Sequence, residues 1–308
     1  MITYNHEPFI AHAINGVLIQ KTNFKFELVI GEDCSSDKTA DIAKEYAQKY
    51  PELIKFRNNQ QNMGMLANAI KTLKECTGKY IAFCEGDDYW TDPYKLQKQV
   101  DALEECEDYQ FCFTSVEMLK NNVIHLVKPD FTNYFFSIED FILNQQILGV
   151  ATFVFRNINE IPLWINELIC PDKFFTFYFA SIGKAIYLDT PTTVYRDHGD
   201  GSHSRLNDSE KVNTVIHDFK IIDKILNFKY HLIFKRSLEL SSQYIINTLK
   251  LNIALGQYSK ARRDIIIWSK IHPVYKIIFK IGAKDFVKIL LGTTIYLKLY
   301  GFYKVIKK

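Results

Sequence analysis

Between residues 24 and 128 the chain alternates short strand-forming runs with helical periods, and this alternation limits the fold more than any other feature. Runs rich in β-branched and aromatic residues occur at 26–30, 54–56 and 80–83. Between and after them, apolar residues in 42–50, 66–73 and 96–103 recur at spacings of three and four. Because strands that alternate with helices assemble parallel sheets, the pattern predicts an α/β fold with a mostly parallel central sheet flanked by helices.

An acidic cluster directly follows the predicted strand at 80–83. Its carboxylates are Glu85, Asp87 and Asp88, and they lie where open α/β sheets bind their ligands. Clustered carboxylates repel one another unless a cation or a proton neutralises them. We therefore expect a divalent cation, Mg²⁺ or Mn²⁺, held by one or two carboxylates and by substrate phosphates. The alternative is a solvated acidic turn that caps the next helix.

A second acidic loop, E-D-C-S-S-D at 32–37, follows the predicted strand at 26–30. We expect it at the same edge of the sheet, where it could hold a base and ribose while the first loop holds the metal. Ser35, Ser36 and Asp37 are also good helix N-cap residues, so capping is an alternative for Asp37. Capping does not explain Glu32 and Asp33.

Four spaced motifs together resemble the family 2 glycosyltransferases. They are Thr3-Tyr4-Asn5, E-D-C-S-S-D-K-T at 32–39, Asn62-Met63-Gly64 and C-E-G-D-D-Y-W at 84–90. The resemblance covers residues 1–205 and is most specific over 1–100. It implies a GT-A fold, a nucleotide-diphosphate sugar as donor, and inverting transfer to a hydroxyl of a glycan, a lipid-linked saccharide or a surface polysaccharide.

The resemblance also assigns residues to the donor and the metal. The donor-binding residues that it implies are Thr3, Tyr4, Asn5, Glu32, Asp33, Asn62, Gly64, Glu85 and Arg196. Asp87 is the expected metal ligand, and His198 is a second candidate in the Y-R-D-H stretch at 195–198, where Arg196 could meet the diphosphate. A solvated loop histidine is the alternative for His198.

A catalytic base is implied in the same way, because inverting members carry an Asp at the start of the helix before a G-K-I-x-Y-L-like strand. Here C-P-D-K at 170–173 precedes G-K-A-I-Y-L at 183–188, so Asp172 is the candidate base. Its alternative role is to cap the following helix.

The sequence departs from the family pattern in two ways. The chain begins within the first motif, so we expect the first strand to be truncated. Glu32 and Glu85 stand where Asp is commoner, which lengthens each side chain by one methylene while leaving a carboxylate acceptor.

A shift in charge and periodicity predicts a domain boundary near residue 205, so we expect the region that the resemblance covers, 1–205, to form a GT-A domain and 206–308 to form a helical, basic region. From Lys220 onward there are 18 Lys/Arg against 4 Asp/Glu, while the preceding part has 20 against 31. A basic, aromatic-rich tail suits an anionic membrane surface, either as an amphipathic helix or with its lysines in water on a helical bundle. Nucleic acid would fit the same charge but is not an expected partner.

Two further features bear on localisation. The longest uncharged apolar run of the tail, 289–297, is far shorter than the roughly 20 residues that span a bilayer. Six cysteines without a C-x-x-C pair indicate a reducing compartment, and no signal peptide is evident. We expect a cytoplasmic protein, with peripheral attachment to the inner membrane face as an alternative.

Two other functions remain open from the sequence. One is a non-catalytic nucleotide-sugar-binding or assembly protein that keeps the fold without turnover. The other is a nucleotidyltransferase, because the same sheet edge can bind a nucleotide and a metal.

Overall fold

The protein is represented by a computed structural model that forms two compact units, Met1–Gly201 and Ser202–Lys308. The structure describes residues 1–129, 135–144, 149–158, 160–170, 172–199, 208–238 and 257–269, and residues 249, 253, 255, 286 and 289. The assignment of 1–205 and 206–308 as functional domains stays a prediction.

A three-stranded parallel sheet opens the first unit, in the order β1-β2-β3. Its strands and helices are β1 (Ile2–Thr3), α1 (Ile10–Leu18), β2 (Leu28–Glu32), α2 (Thr39–Lys49), β3 (Ile54–Asn58) and α3 (Met65–Leu73). Strand β1 pairs with the last two residues of β2, and β2 is buried along its whole length. The carboxyl ends of β1 and β2 therefore lie side by side.

A seven-stranded mixed sheet follows, with the core order β4-β9-β6-β10-β5. Its elements are β4 (Tyr80–Ala82), β5 (Tyr89–Trp90), α4 (Lys95–Glu104), β6 (Tyr109–Lys120), β7 (Val123–Val127), β8 (Phe135–Phe136), α5 (Ile138–Asn144), β9 (Val154–Arg156), α6 (Asp172–Ile182) and β10 (Lys184–Asp197). The β6–β10 ladder is parallel, whereas the other ladders of this sheet are antiparallel. The predicted α/β class, with a parallel sheet flanked by helices, is confirmed; the antiparallel ladders were not predicted.

Several local elements differ from the sequence pattern. Residues 185–188 and 192–195 suggest a β pair around Pro191, but they belong to the single strand β10, whose register shifts on both sides of Pro191. Proline lacks an N–H, so a strand tolerates it at such an irregularity. The strand-forming run at 150–155 predicts one strand, but it begins as a 3-10 turn, Val150–Thr152, before β9.

Helix α1 was not predicted. It packs so closely against β5 that only a glycine fits at position 16. A side-chain carbon on Gly16 would lie 2.8 Å from both the N and the O of Trp90. The absence of a side chain lets α1 lie against β5, which immediately follows the acidic loop.

Phenylalanine rings fill the core beneath the second sheet. Phe111 packs near Phe113, Phe141, Phe153 and Phe179, with ring centroids 5.5 to 6.4 Å apart. Rings at these separations add to the burial of apolar surface and fix the sheet against α5 and α6.

The described part of the second unit is helical. It contains α7 (Asp208–Ile225), a helical stretch at 231–238 and α8 (Tyr258–Ser269). The predicted amphipathic or bundled tail, including almost all of 289–297, lies outside the described residues. Within the described part of the chain, no helix has the length and apolar character to cross a membrane.

Candidate active site

The loop after β1 is tied to the loop after β2 by backbone and side-chain hydrogen bonds. The Asn5 backbone N–H donates to Ser35 Oγ at 2.9 Å, and Ser36 N–H donates to Asn5 Oδ1 at 2.9 Å. The His6 N–H donates to Thr39 Oγ1 at 2.8 Å. Asn5 has a φ of 54°, a left-handed conformation that asparagine tolerates. These bonds fix the main chain of Thr3-Tyr4-Asn5 and leave the Tyr4 ring 44% exposed.

Glu32 is fully buried and shapes its own loop. Its carboxylate accepts the backbone N–H of Cys34 at 3.0 Å and of Ser35 at 2.8 Å, and it also accepts the Ser35 hydroxyl. Cys34 has a φ of 60°, so the loop turns sharply there. The carboxylate therefore acts here as the acceptor that holds a tight turn.

Asp33 joins this turn to the N-M-G loop. Asp33 Oδ1 accepts the Met63 N–H and the Asn59 side-chain amide at 2.9 Å each, and Oδ2 accepts the Gly64 N–H at 2.9 Å. Asn62 Oδ1 accepts the same Gly64 N–H at 3.0 Å, and Gly64 has a φ of 83°. Both carboxylates thus hold the backbone conformation of these loops. Direct contact of either carboxylate with a base or ribose stays a prediction.

The acidic loop between β4 and β5 packs directly on the loop after β1. The Gly86 N–H donates to Ile2 O at 3.0 Å. A side-chain carbon on Gly86 would lie 2.4 Å from Thr3 Oγ1 and 2.7 Å from His6 Nδ1. Only glycine permits this approach, which brings the two predicted motifs together.

Asp87 faces two imidazoles. His198 Nε2 lies 3.3 Å and His6 Nε2 lies 3.6 Å from Asp87 Oδ2, and the three side chains are only about a fifth exposed. Burial lowers the pKa of His6, which Asp87 partly offsets. The predicted pair Asp87 and His198 is therefore adjacent, and His6 is a neighbour that the sequence motifs missed.

Arg196, at the end of β10, is held in place from several sides. Its guanidinium donates to the Asp87 backbone oxygen and to His12 Nδ1, the latter at 2.8 Å. The guanidinium carbon lies 4.3 Å from the Tyr89 ring centroid and 5.2 Å from that of Phe9. Arginine only donates hydrogen bonds, so His12 Nδ1 must carry a lone pair, and burial together with Arg196 lowers the His12 pKa.

Two further acids, Glu85 and Asp172, line one pocket. Ten of its lining side chains are apolar: Ile2, Met65, Leu66, Ala69, Ile70, Leu73, Phe83, Val150, Ile165 and Phe175. Burial raises the pKa of Asp172 to about 6. Burial, and then the charges of Asp172 and Asp87, raise the pKa of Glu85 well above its usual range.

Asp172 is the first residue of α6, where the candidate base is expected, and it lies one position after a strict N-cap. Its carboxyl lines the pocket beside Glu85, which suits the role of base, but its position in the first helical turn also suits capping. The choice between the two roles stays a prediction.

The donor set fits a divalent cation that shares its ligands with a substrate. Within the described residues, no group of three or more His, Cys, Asp and Glu side chains is arranged to hold an ion alone. Asp87 with His198 supplies one carboxylate and one imidazole, and Mn²⁺ or Mg²⁺ commonly takes its other ligands from water and phosphate oxygens.

His6, His12, Phe9 and Tyr89 were not predicted as parts of the site. His6 directly follows the T-Y-N motif, so its place in the sequence was a usable signal. The other three lie near Arg196 only because α1 and β5 pack together, and no sequence spacing reveals that contact.

The fold and the acidic strand-end loops define a GT-A-type α/β protein. S. aureus TarS 1–349, solved with UDP-GlcNAc, has a TM-score of 0.55 and 20% identity, covering 94% of this chain and 88% of that one. The mannosyltransferase PcManGT from Pyrobaculum calidifontis, solved with GDP-Man and Mn²⁺, has a TM-score of 0.54 and 16% identity, covering 92% and 85%. At these identities the likeness shows the shared fold.

The chain belongs to glycosyl transferase family 2, whose model matches residues 1–156, about half of its length. The uncharacterized protein Rv1520 of Mycobacterium tuberculosis is 43% identical over 118 residues, which are 38% of this chain and 34% of that protein. The chain thus matches about a third of the length of this curated relative.

Proposed function

We propose that the protein is an inverting, metal-dependent glycosyltransferase that moves a sugar from a nucleotide-diphosphate sugar to a hydroxyl acceptor. The observation that carries the proposal is the approach of His198 Nε2 to within 3.3 Å of Asp87 Oδ2, beside the loops after β1 and β2. The closeness of these loops supports a shared site for a nucleotide diphosphate and its cation.

The donor would lie along the loops after β1 and β2. Tyr4 exposes a ring that can contact a base, and its neighbour Asn5 is hydrogen-bonded to Ser35 in the turn that Glu32 holds. Solved proteins of the same fold with UDP-GlcNAc and with GDP-Man support a nucleotide-sugar donor.

Asp87 and His198 would hold the cation together with diphosphate oxygens. The ion, when bound, would neutralise the negative charge of the departing diphosphate. Asp88 and Arg196 maintain this geometry. The backbone N–H of Arg196 donates to Asp88 Oδ1 and thereby keeps the nearby His198 beside Asp87.

Asp172 would act as the general base. It would accept the proton of the acceptor hydroxyl while that oxygen forms a bond to the anomeric carbon, and the bond from this carbon to the diphosphate oxygen would break with its electron pair on the leaving group. The raised pKa of about 6 leaves Asp172 mostly ionised at neutral pH and more basic than an exposed aspartate.

The acceptor would be a glycan, a lipid-linked saccharide or a surface polysaccharide. The excess of 18 basic over 4 acidic residues from Lys220 onward supports peripheral contact with anionic membrane, where lipid-linked acceptors reside.

Calorimetric titration with UDP and GDP, with and without Mn²⁺, tests the donor site. The wild-type protein and an Asp41→Ala control, changed at an exposed residue of α2, should bind one of the two nucleotides only when Mn²⁺ is present. Asp87→Ala should lose that binding. Wild-type protein that binds neither nucleotide under any condition would contradict the proposal.

Asp172→Asn separates an enzyme from a binding protein. The variant should bind the nucleotide as the wild type does and lose sugar transfer. Release of pyrophosphate from a nucleoside triphosphate would instead favour a nucleotidyltransferase.

A further inference from the structure

His6 occupies a position in the site that the family motifs do not assign. It follows β1, and its main chain is fixed by the 2.8 Å hydrogen bond from its N–H to Thr39 Oγ1. Its side chain is 20% exposed and turns toward Asp87 rather than toward solvent. The imidazole therefore lies on the same side of the acidic loop as His198.

The absence of a side chain at Gly86 is what brings His6 so close. A carbon there would meet His6 Nδ1 at 2.7 Å and Thr3 Oγ1 at 2.4 Å. The end of β1 and the loop after it therefore contact the acidic loop at Gly86, the residue that precedes Asp87.

The surroundings of the ring suggest which nitrogen carries the proton. Thr3 Oγ1 lies 3.2 Å from His6 Nδ1, and a hydroxyl that donates to Nδ1 leaves the proton of the neutral ring on Nε2. Nε2 lies 3.6 Å from Asp87 Oδ2, which is longer than a normal hydrogen bond of about 3 Å. In this tautomer the Nε2–H group is directed to the space in front of Asp87.

Arg196 is less able than His6 to donate a hydrogen bond into the space in front of Asp87. Its guanidinium already donates to the Asp87 backbone oxygen and to His12, and it lies against the rings of Tyr89 and Phe9. An anion beside Asp87 and its cation would meet the His6 Nε2–H group without displacing these contacts.

We propose that His6 Nε2–H donates a hydrogen bond to a phosphate oxygen of the nucleoside diphosphate, making His6 a further catalytic residue. The inference rests on the proposed glycosyl transfer. Charge on the diphosphate grows as the bond to the sugar breaks, so a fixed N–H donor stabilises the leaving group more than the bound substrate. No proton is transferred through His6 in this step.

The test compares His6→Met with His6→Gln by calorimetry in Mn²⁺, using UDP and UMP, or GDP and GMP if the guanine nucleotide binds. Methionine fills the space without an N–H, whereas the Gln side-chain amide can place an N–H near the position of Nε2. His125→Met, on the exposed strand β7, is the matched control. Circular dichroism confirms that each variant is folded.

His6→Met should weaken diphosphate binding by about tenfold or more and leave monophosphate binding within about twofold. His6→Gln should recover most of the loss, and turnover of His6→Met should fall further than its nucleotide affinity, by about a hundredfold. Nitrogen coupling to bound Mn²⁺, measured by electron spin echo, should be the same in His6→Met and in the wild type.

Three results would overturn the role of His6. They are equal losses for the monophosphate and the diphosphate, unchanged diphosphate affinity in His6→Met, and loss of a nitrogen coupling, which would make His6 a metal ligand. If the wild-type protein binds no nucleotide, the proposed function fails as well; if it binds and His6→Met matches it, only the role of His6 fails.

Discussion

The backbone N–H of Arg196 donates a 2.9 Å hydrogen bond to Asp88 Oδ1, and this contact joins the end of β10 to the acidic loop after β4. The two residues are 108 positions apart in sequence. Asp88 is 1% exposed, and burial followed by the charge of Asp87 raises its pKa. Asp88 therefore stabilises the site from the buried side of the acidic loop, whereas the Asp87 carboxylate faces His6 and His198.

Replacement of Asp88 tests this contact. Asp88→Ala removes the acceptor, so the end of β10 should lose its fixed position and His198 should leave Asp87. Nucleotide binding in Mn²⁺ should weaken by about tenfold, because a partly buried backbone donor loses its acceptor. Asp88→Asn keeps an oxygen acceptor and should stay within about threefold of the wild type. Equal effects of the two changes in a titration would contradict this role.

The pH dependence of transfer tests Asp172. A general base works only when ionised, and burial holds the pKa of Asp172 at about 6. As pH falls through this value, the base is protonated, and kcat/KM should fall by about tenfold per pH unit below it. An initial-rate profile between about pH 5 and 8 measures the effect. An acid limb centred near the ordinary aspartate value would count against Asp172 as the base.

Gly86→Ala tests the close approach of the two loops. The added carbon meets Thr3 Oγ1 at 2.4 Å, so we expect a loss of stability of about 1–3 kcal/mol together with loss of nucleotide binding. Gly149→Ala is the control, because its nearest neighbour, Tyr195 Cδ2, is 3.7 Å away and its φ is −44°. Urea unfolding and calorimetry report the two effects, and normal binding in Gly86→Ala would refute the steric argument.

Lys95 should give the protein a distinctive pH dependence of stability. Its ammonium is fully buried, where it donates to Gln99 and to Thr152 O and lies 5.1 Å from the Trp90 ring centroid. Burial lowers the pKa of Lys95 from 10.5 to about 7. Between these values the unfolded chain binds a proton that the folded protein does not, so the contribution of Lys95 to stability rises with pH.

The measurement compares urea unfolding of the wild type and Lys95→Met at about pH 7.5 and about pH 9. Relative to the variant, the wild type should gain up to about 1.4 kcal/mol of unfolding free energy per pH unit. Lys44→Met, changed at an exposed position of α2, should follow the wild type. Parallel pH curves for wild type and Lys95→Met would show that Lys95 does not titrate in this window.

Much of the fold was available from the sequence because its signals are local. The periodicity of α2, α3 and α4 and the strand-forming runs of β2 and β4 predicted the α/β class correctly. Strand β10 was wrongly predicted as two strands, because a proline such as Pro191 ordinarily interrupts a strand. In the structure, register shifts in the pairing of β10 with β6 accommodate the proline. The antiparallel pairing of β9 with β4 and β6 could not be predicted, because a single sequence does not show which strands pair with each other.

The sequence by itself determined where the candidate acids, histidines and arginine stand on the chain, and it predicted a chemical role for each. Carboxylates after strand-forming runs, and the arginine and histidine of the Y-R-D-H stretch at 195–198, are evident from residue type and spacing alone. Only the tertiary structure decided which of these groups face one another, because hydrogen bonds and packing among distant segments set the position of each side chain. Thus Glu32 accepts hydrogen bonds from its own loop and Asp33 accepts them from the N-M-G loop. Asp87 lies beside His198 and His6, and Asp172 shares a pocket with Glu85.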